Sequence, residues 1–562
     1  MEFLQDEVTY YLPDRLPFTM EDVLRWMLKE KPIERMFAGD PSLWTDDPEG
    51  QEEIRKRLGW LQLPVEMTAQ FAEFEAFRDQ ALADGFTHVF VLGMGGSSLA
   101  PEVLSLVVGD SVLPGKGLKL KIIDTTNPDE ILASYRGIDV AKVLFIVSSK
   151  SGTTSETTSA LNYFRQEVEK LVGNATASHF AVITDPGTVL ETYARQNSLR
   201  AVFHGEATVG GRFSVFSNFG MVPAALLGLD LAKLQQHAKS MYERCLPAVE
   251  TGLNPGAILG GILGMAATHG RNKLCIMADQ EIRPLGAWLE QLIAESSGKD
   301  GKGILPVVDE PQVSSAFIGN DRIFVYLRMT GALDPLVQEY HYSNPVVVIN
   351  LAEKYDLFGE FYRWEIATSV ACAVMGVNAF DQPDVQANKT RTKEIIHEFQ
   401  QSGNLKEGEP VFSTDSWAIY GEPDRRYKKI KTIADVLNLY LDGVKAPKFL
   451  AINAFINRSE ENEADLTFLR ECFNTNGFAT TLGFGPRFLH STGQYHKGGS
   501  NQGFFLQITA EVENDMLIPQ ENMHFGTLQR AQALGDFEVL KERGRKILRI
   551  HFKSSKLEGL FE

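Results

Sequence analysis

One stretch of the chain crowds phosphate-binding chemistry into a single turn. Ser149-Lys150-Ser151-Gly152-Thr153-Thr154-Ser155-Glu156-Thr157 follows the apolar run Val143–Ser148 and holds six hydroxyls and a lysine. Thr153 and Glu156 stand in capping-box spacing, which predicts a helix starting there. Ser149, Lys150, Ser151 and Thr154 are then free to face an anion at the positive end of the helix dipole. The simpler alternative is a well-capped, hydroxyl-rich turn. A second loop, Gly93-Met94-Gly95-Gly96-Ser97-Ser98, also follows an apolar run. Its glycines allow close backbone approach, and Gly96 and Ser97 are its candidate contacts. No carboxylate about 20 residues on fits a ribose, and no G-x-x-x-x-G-K-[ST] is present, so neither dinucleotide nor ATP-type binding is supported. The donors suit a sugar phosphate.

Two further residues could act on a bound substrate. Glu295 ends an apolar segment, Trp288–Ala294. A carboxylate emerging there is partly desolvated and expected to have its pKa raised, as a general base requires. Arg212 follows two glycines and precedes an apolar helix, a costly place for a cation without an anionic partner. A solvated Glu at a helix end and a structural ion pair are the respective alternatives.

These residues need a scaffold, and continuous apolar runs indicate one. Thr87–Leu92, Leu118–Asp124, Val143–Ser148 and His179–Thr184 read as strands buried on both faces, hence a parallel sheet. Helical segments such as Thr154–Leu171 lie between them. A second set (Lys273–Ala278, Arg322–Arg328, Pro345–Leu351) follows the Gly-rich helical stretch Gly256–Gly270 and precedes the helix Gly359–Met375. A third set starts near Ala446: Lys448–Ile456, Phe478–Gly483, Gly503–Thr509 and Lys546–Phe552. The predicted class is α/β, with two doubly wound parallel-sheet modules followed by a third. The expected division is an N-terminal helical extension (1–60), a first module with the phosphate loops (61–235), a second with the catalytic Glu (236–399) and a C-terminal module (427–562). Gln400–Arg426, rich in Gly, Pro, Ser and charge, reads as the linker.

Composition narrows the partners. With 73 acidic against 55 basic residues the net charge is −18, a poor match for nucleic acid or an anionic membrane. Cys245, Cys275, Cys372 and Cys472 lie far apart with no metal-ligand spacing, which argues against a disulfide framework or zinc and for a reducing compartment. Met1–Asp14 has no signal-type apolar stretch, and the longest apolar runs fall short of about 18 residues. A cytoplasmic protein is expected, with no membrane association, no metal and no cofactor.

Five segments together resemble a known family. Gly-Gly-Ser at 95–97, Ser149–Thr157, Gly210-Gly211-Arg212-Phe213-Ser214, Glu295-Ser296-Ser297-Gly298-Lys299 and Phe380-Asp381-Gln382…Lys389 run in the order found in glucose-6-phosphate isomerases, which are built from sugar-isomerase (SIS) domains. Gly485–Gln494 with His496-Lys497-Gly498-Gly499 resembles the end of the isomerase part of bifunctional transaldolase–glucose-6-phosphate isomerase fusions. About 60 residues precede the first module, far short of a barrel of ~250 residues, so no transaldolase activity is expected.

The resemblance implies reversible aldose–ketose isomerisation of glucose 6-phosphate and fructose 6-phosphate through a cis-enediol(ate), in glycolysis and gluconeogenesis. Glu295 would be the base and Arg212 would stabilise enediolate charge. Lys389 would open the ring, and Gln382 would contact phosphate or hydroxyl. The family also has a ring-opening His between the Glu and Lys segments. His341 is the one His there, although its neighbours match poorly and a surface loop His reads equally well. His490, Gln494, His496 and Lys497 are additional candidates, expected to complete the active site from the third module. The alternatives are a dual glucose/mannose-6-phosphate isomerase and a non-catalytic sugar-phosphate-binding protein. A homodimer stays open as the assembly.

Overall fold

A computed structural model describes residues 2–5, 7–442 and 448–561. The chain forms two compact units. The first comprises 1–124, 138–309 and 321–382; the second comprises 125–137, 310–320 and 383–562. The expected start of the third strand set, near Ala446, lies outside the described residues.

The first unit holds two sheets. One is wholly parallel, with strands ordered Lys119–Ile123, His88–Gly93, Val143–Ser148, Phe180–Thr184 and Ala201–His204. Every residue of Val143–Ser148 is buried, as a continuous Val/Ile/Phe run requires of a central strand. The second sheet orders Val346–Asn350, Arg322–Arg328, Lys273–Ala278 and Leu305–Val308 in parallel. Val8–Tyr11 then adds antiparallel to Val346–Asn350, and Glu2–Gln5 pairs with it in turn. The sequence reading expected helices in this extension. Those exist, as in Met20–Glu30, but the two strands were hidden among charged residues.

The helices Pro255–Thr268 and Leu357–Met375 form the centre of this unit. Gly256, Gly260 and Gly264 recur every four residues along the first helix. A Cβ at them would come within 2.7 Å of Ile366, 2.3 Å of the Ala367 carbonyl and 2.5 Å of Val374. The glycine row lets the two backbones approach, and Leu259, Ile262, Ile366 and Val370 around it are buried.

The second unit repeats the pattern. Its sheet orders Ala479–Phe484, Phe449–Phe455, Gly503–Ala510 and Lys546–Phe552 in parallel. The segment read as a linker does more than connect: Trp417–Tyr420 pairs antiparallel with Lys546–Phe552. The architecture is α/β, two doubly wound parallel-sheet modules followed by a third. No helix among the described residues is long and apolar enough to cross a membrane.

Candidate functional site

In the first unit the polypeptide brings three turns and a helix together. Helix Leu285–Ser297 packs against both the Gly95–Ser97 and the Gly211–Phe213 turns. Gly96 faces Gly211 so closely that a Cβ would stand 2.0 Å from the Gly211 carbonyl; only glycine fits there. Gly93 lies against Ser148, the residue before the hydroxyl-rich turn.

Arg212 is the hub. It is buried, and its Nε donates to Ser296 Oγ at 2.7 Å. Nη1 donates to Gln382 Oε1 at 3.0 Å, and Nη2 donates to the carbonyls of Ala379 (2.5 Å) and Asp381 (3.1 Å). Glu295 Oε1 stands 3.6 Å from Nη1. Burial pulls the guanidinium's pKa below its ordinary value, opposed by Glu295 and Asp381. Glu295 is 8% exposed, and its other oxygen accepts from Gln291 Nε2 at 3.1 Å. Gln291 precedes Glu295 by one helical turn, so i,i+4 spacing was the signal that could have found it.

Lys299 supports the same cluster from beneath. It is buried, donates to the Ser296 carbonyl at 2.8 Å and to the Asn378 carbonyl, and pairs with Asp381 at 3.0 Å. Burial and the nearby Arg212 lower its pKa to about 8, against the opposing pull of Asp381. Arg212 and Lys299 thus grip the 378–382 segment from two sides and fix where Gln382 lies.

The hydroxyl-rich turn differs in detail from its expectation. The helix begins at Ser155 with Thr154 as N-cap, and no side chain makes the cap bond. The Thr153–Glu156 capping box does not form: Ser151 Oγ accepts from the Thr153 amide at 3.3 Å, and Ser155 Oγ donates to Glu156 at 2.9 Å. Ser149 and Thr154 hydroxyls meet at 3.0 Å. Lys150 is already engaged, paired with Asp185 and donating to the Glu206 carbonyl at 3.0 Å. Ser97 and Ser98 are buried, and Ser98 Oγ donates to Asp124 at 3.2 Å.

His341 follows helix Asp334–Tyr340; its Nδ1 donates to the Val337 carbonyl at 3.0 Å, and its ring packs on Tyr11 and Tyr342. Lys389 is exposed on helix Pro383–Ser402 of the second unit. In that unit Gln494 is buried and bonds Asp384 twice, at 3.0 and 2.8 Å. Lys497, 3% exposed, pairs with the fully buried Asp536 at 2.6 Å. His496 is buried between Phe488 and Phe505 with neither ring nitrogen bonded, and burial pushes its pKa well down. His490 ends the Arg487–His490 turn. Among the described residues, no group of three or more His, Cys, Asp or Glu side chains is placed to hold a metal ion.

Known proteins share both sequence and fold with this chain. A probable glucose-6-phosphate isomerase of Methanococcus maripaludis is 26% identical over 386 residues, 62% of this chain and 85% of that protein. A glucose-6-phosphate isomerase of Thermus thermophilus is 32% identical over 278 residues, 47% of this chain and 64% of that protein. For the Citrifermentans bemidjiense enzyme the figures are 34%, 43% and 48%, so the chain spans about half to two thirds of these last two relatives. In fold it resembles a crystal structure of a glucose-6-phosphate isomerase from Chlamydia trachomatis, with a TM-score of 0.61 at 18% identity over 78% of this chain and 93% of that one. Residues 75–311 match the family model of phosphoglucose isomerase. Over that segment the chain is similar to the phosphoglucose isomerases.

Proposed function

We propose that this chain interconverts glucose 6-phosphate and fructose 6-phosphate. The observation that carries the reading is Glu295: a buried carboxylate with one oxygen beside the Arg212 guanidinium and the other held by Gln291. A carboxylate fixed in this way and screened from water is suited to moving a proton between adjacent carbons. With open-chain aldose bound, Glu295 takes the proton from C2 as the electrons form a C1–C2 double bond. The resulting cis-enediolate carries its negative charge on O1, in the field of Arg212; the O2 hydroxyl proton passes to O1, and the same carboxyl then returns its proton to C1 as the C2–O2 carbonyl forms, giving the ketose. The bonds to Ser296, Gln382 and Ala379 hold the Arg212 guanidinium in place, so its positive charge is already fixed beside Glu295 when charge develops.

The hydroxyls of Ser97, Ser149, Ser151 and Thr154, with the backbone at Gly96, bind the phosphate, a group unchanged by the reaction. Gln382, fixed by Arg212, supplies a further contact. Lys389 opens the ring. Lys150 contributes positive potential once its pairing with Asp185 is shared with the substrate. His341 packs between tyrosines in this reading, and His496 and Lys497 support the third module from its interior. The reaction takes place in the cytoplasm, with a homodimer as the working assembly to be checked by sedimentation.

The test is a coupled assay of purified chain with fructose 6-phosphate, repeated with EDTA and with mannose 6-phosphate. Glucose 6-phosphate should form at the same rate with and without EDTA. No turnover of fructose 6-phosphate would refute the reading, and equal turnover of mannose 6-phosphate would widen it to a dual-specificity isomerase.

A further inference from the structure

All three parallel sheets place their strands in one order. The second strand of each module lies on one side of the first, and the third and fourth lie on the other. Such a reversal opens a crevice beyond the carboxyl ends of the first and third strands, where doubly wound sheets bind ligands. In the first module this crevice is flanked by the Gly93–Ser98 and Ser149–Thr154 turns. In the second it is filled: Asp279 accepts from the amides of Met329, Thr330 and Gly331 at 2.6–2.8 Å and from Tyr326 Oη at 2.6 Å. In the third a cavity of about 200 Å³ stands there, reached by Phe455 at the end of the first strand and Thr509 and Ala510 at the end of the third.

The lining of that cavity defines what it would hold. Glu407, Glu511 and Asp515 are carboxylates. Arg530 lies among them, bonded to Glu407 and Glu511 at 3.1 Å each and to His551 at 2.8 Å. Asp515 already accepts from the amide of Gly526 at 2.8 Å, so it occupies the positive end of helix Phe525–Glu542 where an anion would otherwise sit. Gln529 is 3% exposed; its Oε1 accepts from Asn127 at 3.2 Å, while its buried Nε2 has no hydrogen-bond partner among the described residues. A buried amide N–H without a partner is costly. A phosphate would face three carboxylates, and an ammonium group would face Arg530. A neutral ligand rich in hydroxyls meets neither obstacle. It can donate to the carboxylates and lay its C–H surface on Phe455, Ala510 and Ala533.

We propose that the switch-point cavity of the third module binds a small neutral polyol, such as an unphosphorylated sugar. This goes beyond the proposed isomerase reading and does not depend on it. The experiment uses the full chain with its phosphate turn saturated by fructose 6-phosphate. D-glucose and D-sorbitol are the probes, followed by saturation-transfer NMR and calorimetry; inorganic phosphate and ethanolamine are the charged controls. Saturable binding of a polyol that persists under excess fructose 6-phosphate is expected. Ala510→Trp, which fills the cavity, and Gln529→Leu, which removes a polar side chain from its lining, should each weaken it at least tenfold and leave kcat on fructose 6-phosphate unchanged. Circular dichroism identifies a misfolded variant, in which case the other variant decides. The proposal is overturned if neither polyol binds, if fructose 6-phosphate displaces it, if a folded variant binds as well as the parent chain, or if a charged control binds in its place.

Discussion

The first and third modules are wound alike and put different chemistry in the same crevice. In the first, the turns after strands His88–Gly93 and Val143–Ser148 carry small residues, and the Gly96–Gly211 approach leaves room for backbone but for no side chain. In the third, the strands themselves are polar inside. Asn453, Gln507 and Arg549 lie side by side in register across three strands, all buried. Arg549 stacks 3.9 Å over Tyr420 and pairs with Glu407 at 3.2 Å. Winding provides the crevice, and the residues at its rim decide what it holds.

That contrast can be tested first at Lys497. If it is part of the third module's interior, Lys497→Met leaves the buried Asp536 uncompensated and should cost about 3–5 kcal/mol of stability, seen as a lower denaturation midpoint, while folded protein keeps its kcat. Lost kcat at unchanged stability would place Lys497 at the substrate instead. Arg212→Met should reduce kcat by about 10²–10³-fold, and a rise in KM at unchanged kcat would remove Arg212 from the enediolate. The triple replacement of Ser149, Ser151 and Thr154 by Ala should chiefly raise KM, each lost hydrogen bond contributing about 0.5–1.5 kcal/mol. An unchanged KM would separate the turn from the phosphate.

The smallest effect concerns Lys299. Its folded pKa of about 8 lies below its ordinary value of 10.5, so between these pH values the unfolded chain binds more protons at this site than the folded one. Its contribution to stability therefore rises with pH across that window and is lost as pH falls toward 8. The difference in unfolding free energy between the parent chain and Lys299→Met should change with that sign from pH 8 to pH 10, and a flat difference would contradict the buried, depressed amine.

The parallel sheets were legible because their central strands are unbroken apolar runs. Val143–Ser148, Lys273–Ala278 and Lys546–Phe552 have the bounds their sequences suggest. The placement of Glu295 on the buried end of an apolar helix was legible for the same reason. What periodicity could not reveal were partners distant in sequence. Lys150 is paired with Asp185, and Lys299 joins residues 378–381, through contacts that only the fold creates. The stretch Gly493–Gly499 misled in another way. Its residues were expected to complete the active site, yet it forms a helical turn, Gly493–Gly498, with Gln494, His496 and Lys497 buried, and a Cβ on the capping Gly499 would stand 2.6 Å from the Tyr495 carbonyl. Val8–Tyr11 was missed because its pairing with Val346–Asn350 draws on a partner more than 300 residues away.

The most direct test of the isomerase reading is Glu295→Gln, followed with fructose 6-phosphate in D2O by NMR. The amide keeps the shape of the carboxylate and can still bond Gln291 but cannot take a proton. The parent chain should convert the sugar and place deuterium on the carbon that receives the proton. The variant should fold, bind the sugar phosphate, and lose both turnover and exchange. Substantial turnover or deuterium incorporation in folded Glu295→Gln would contradict the assignment of Glu295 as the base.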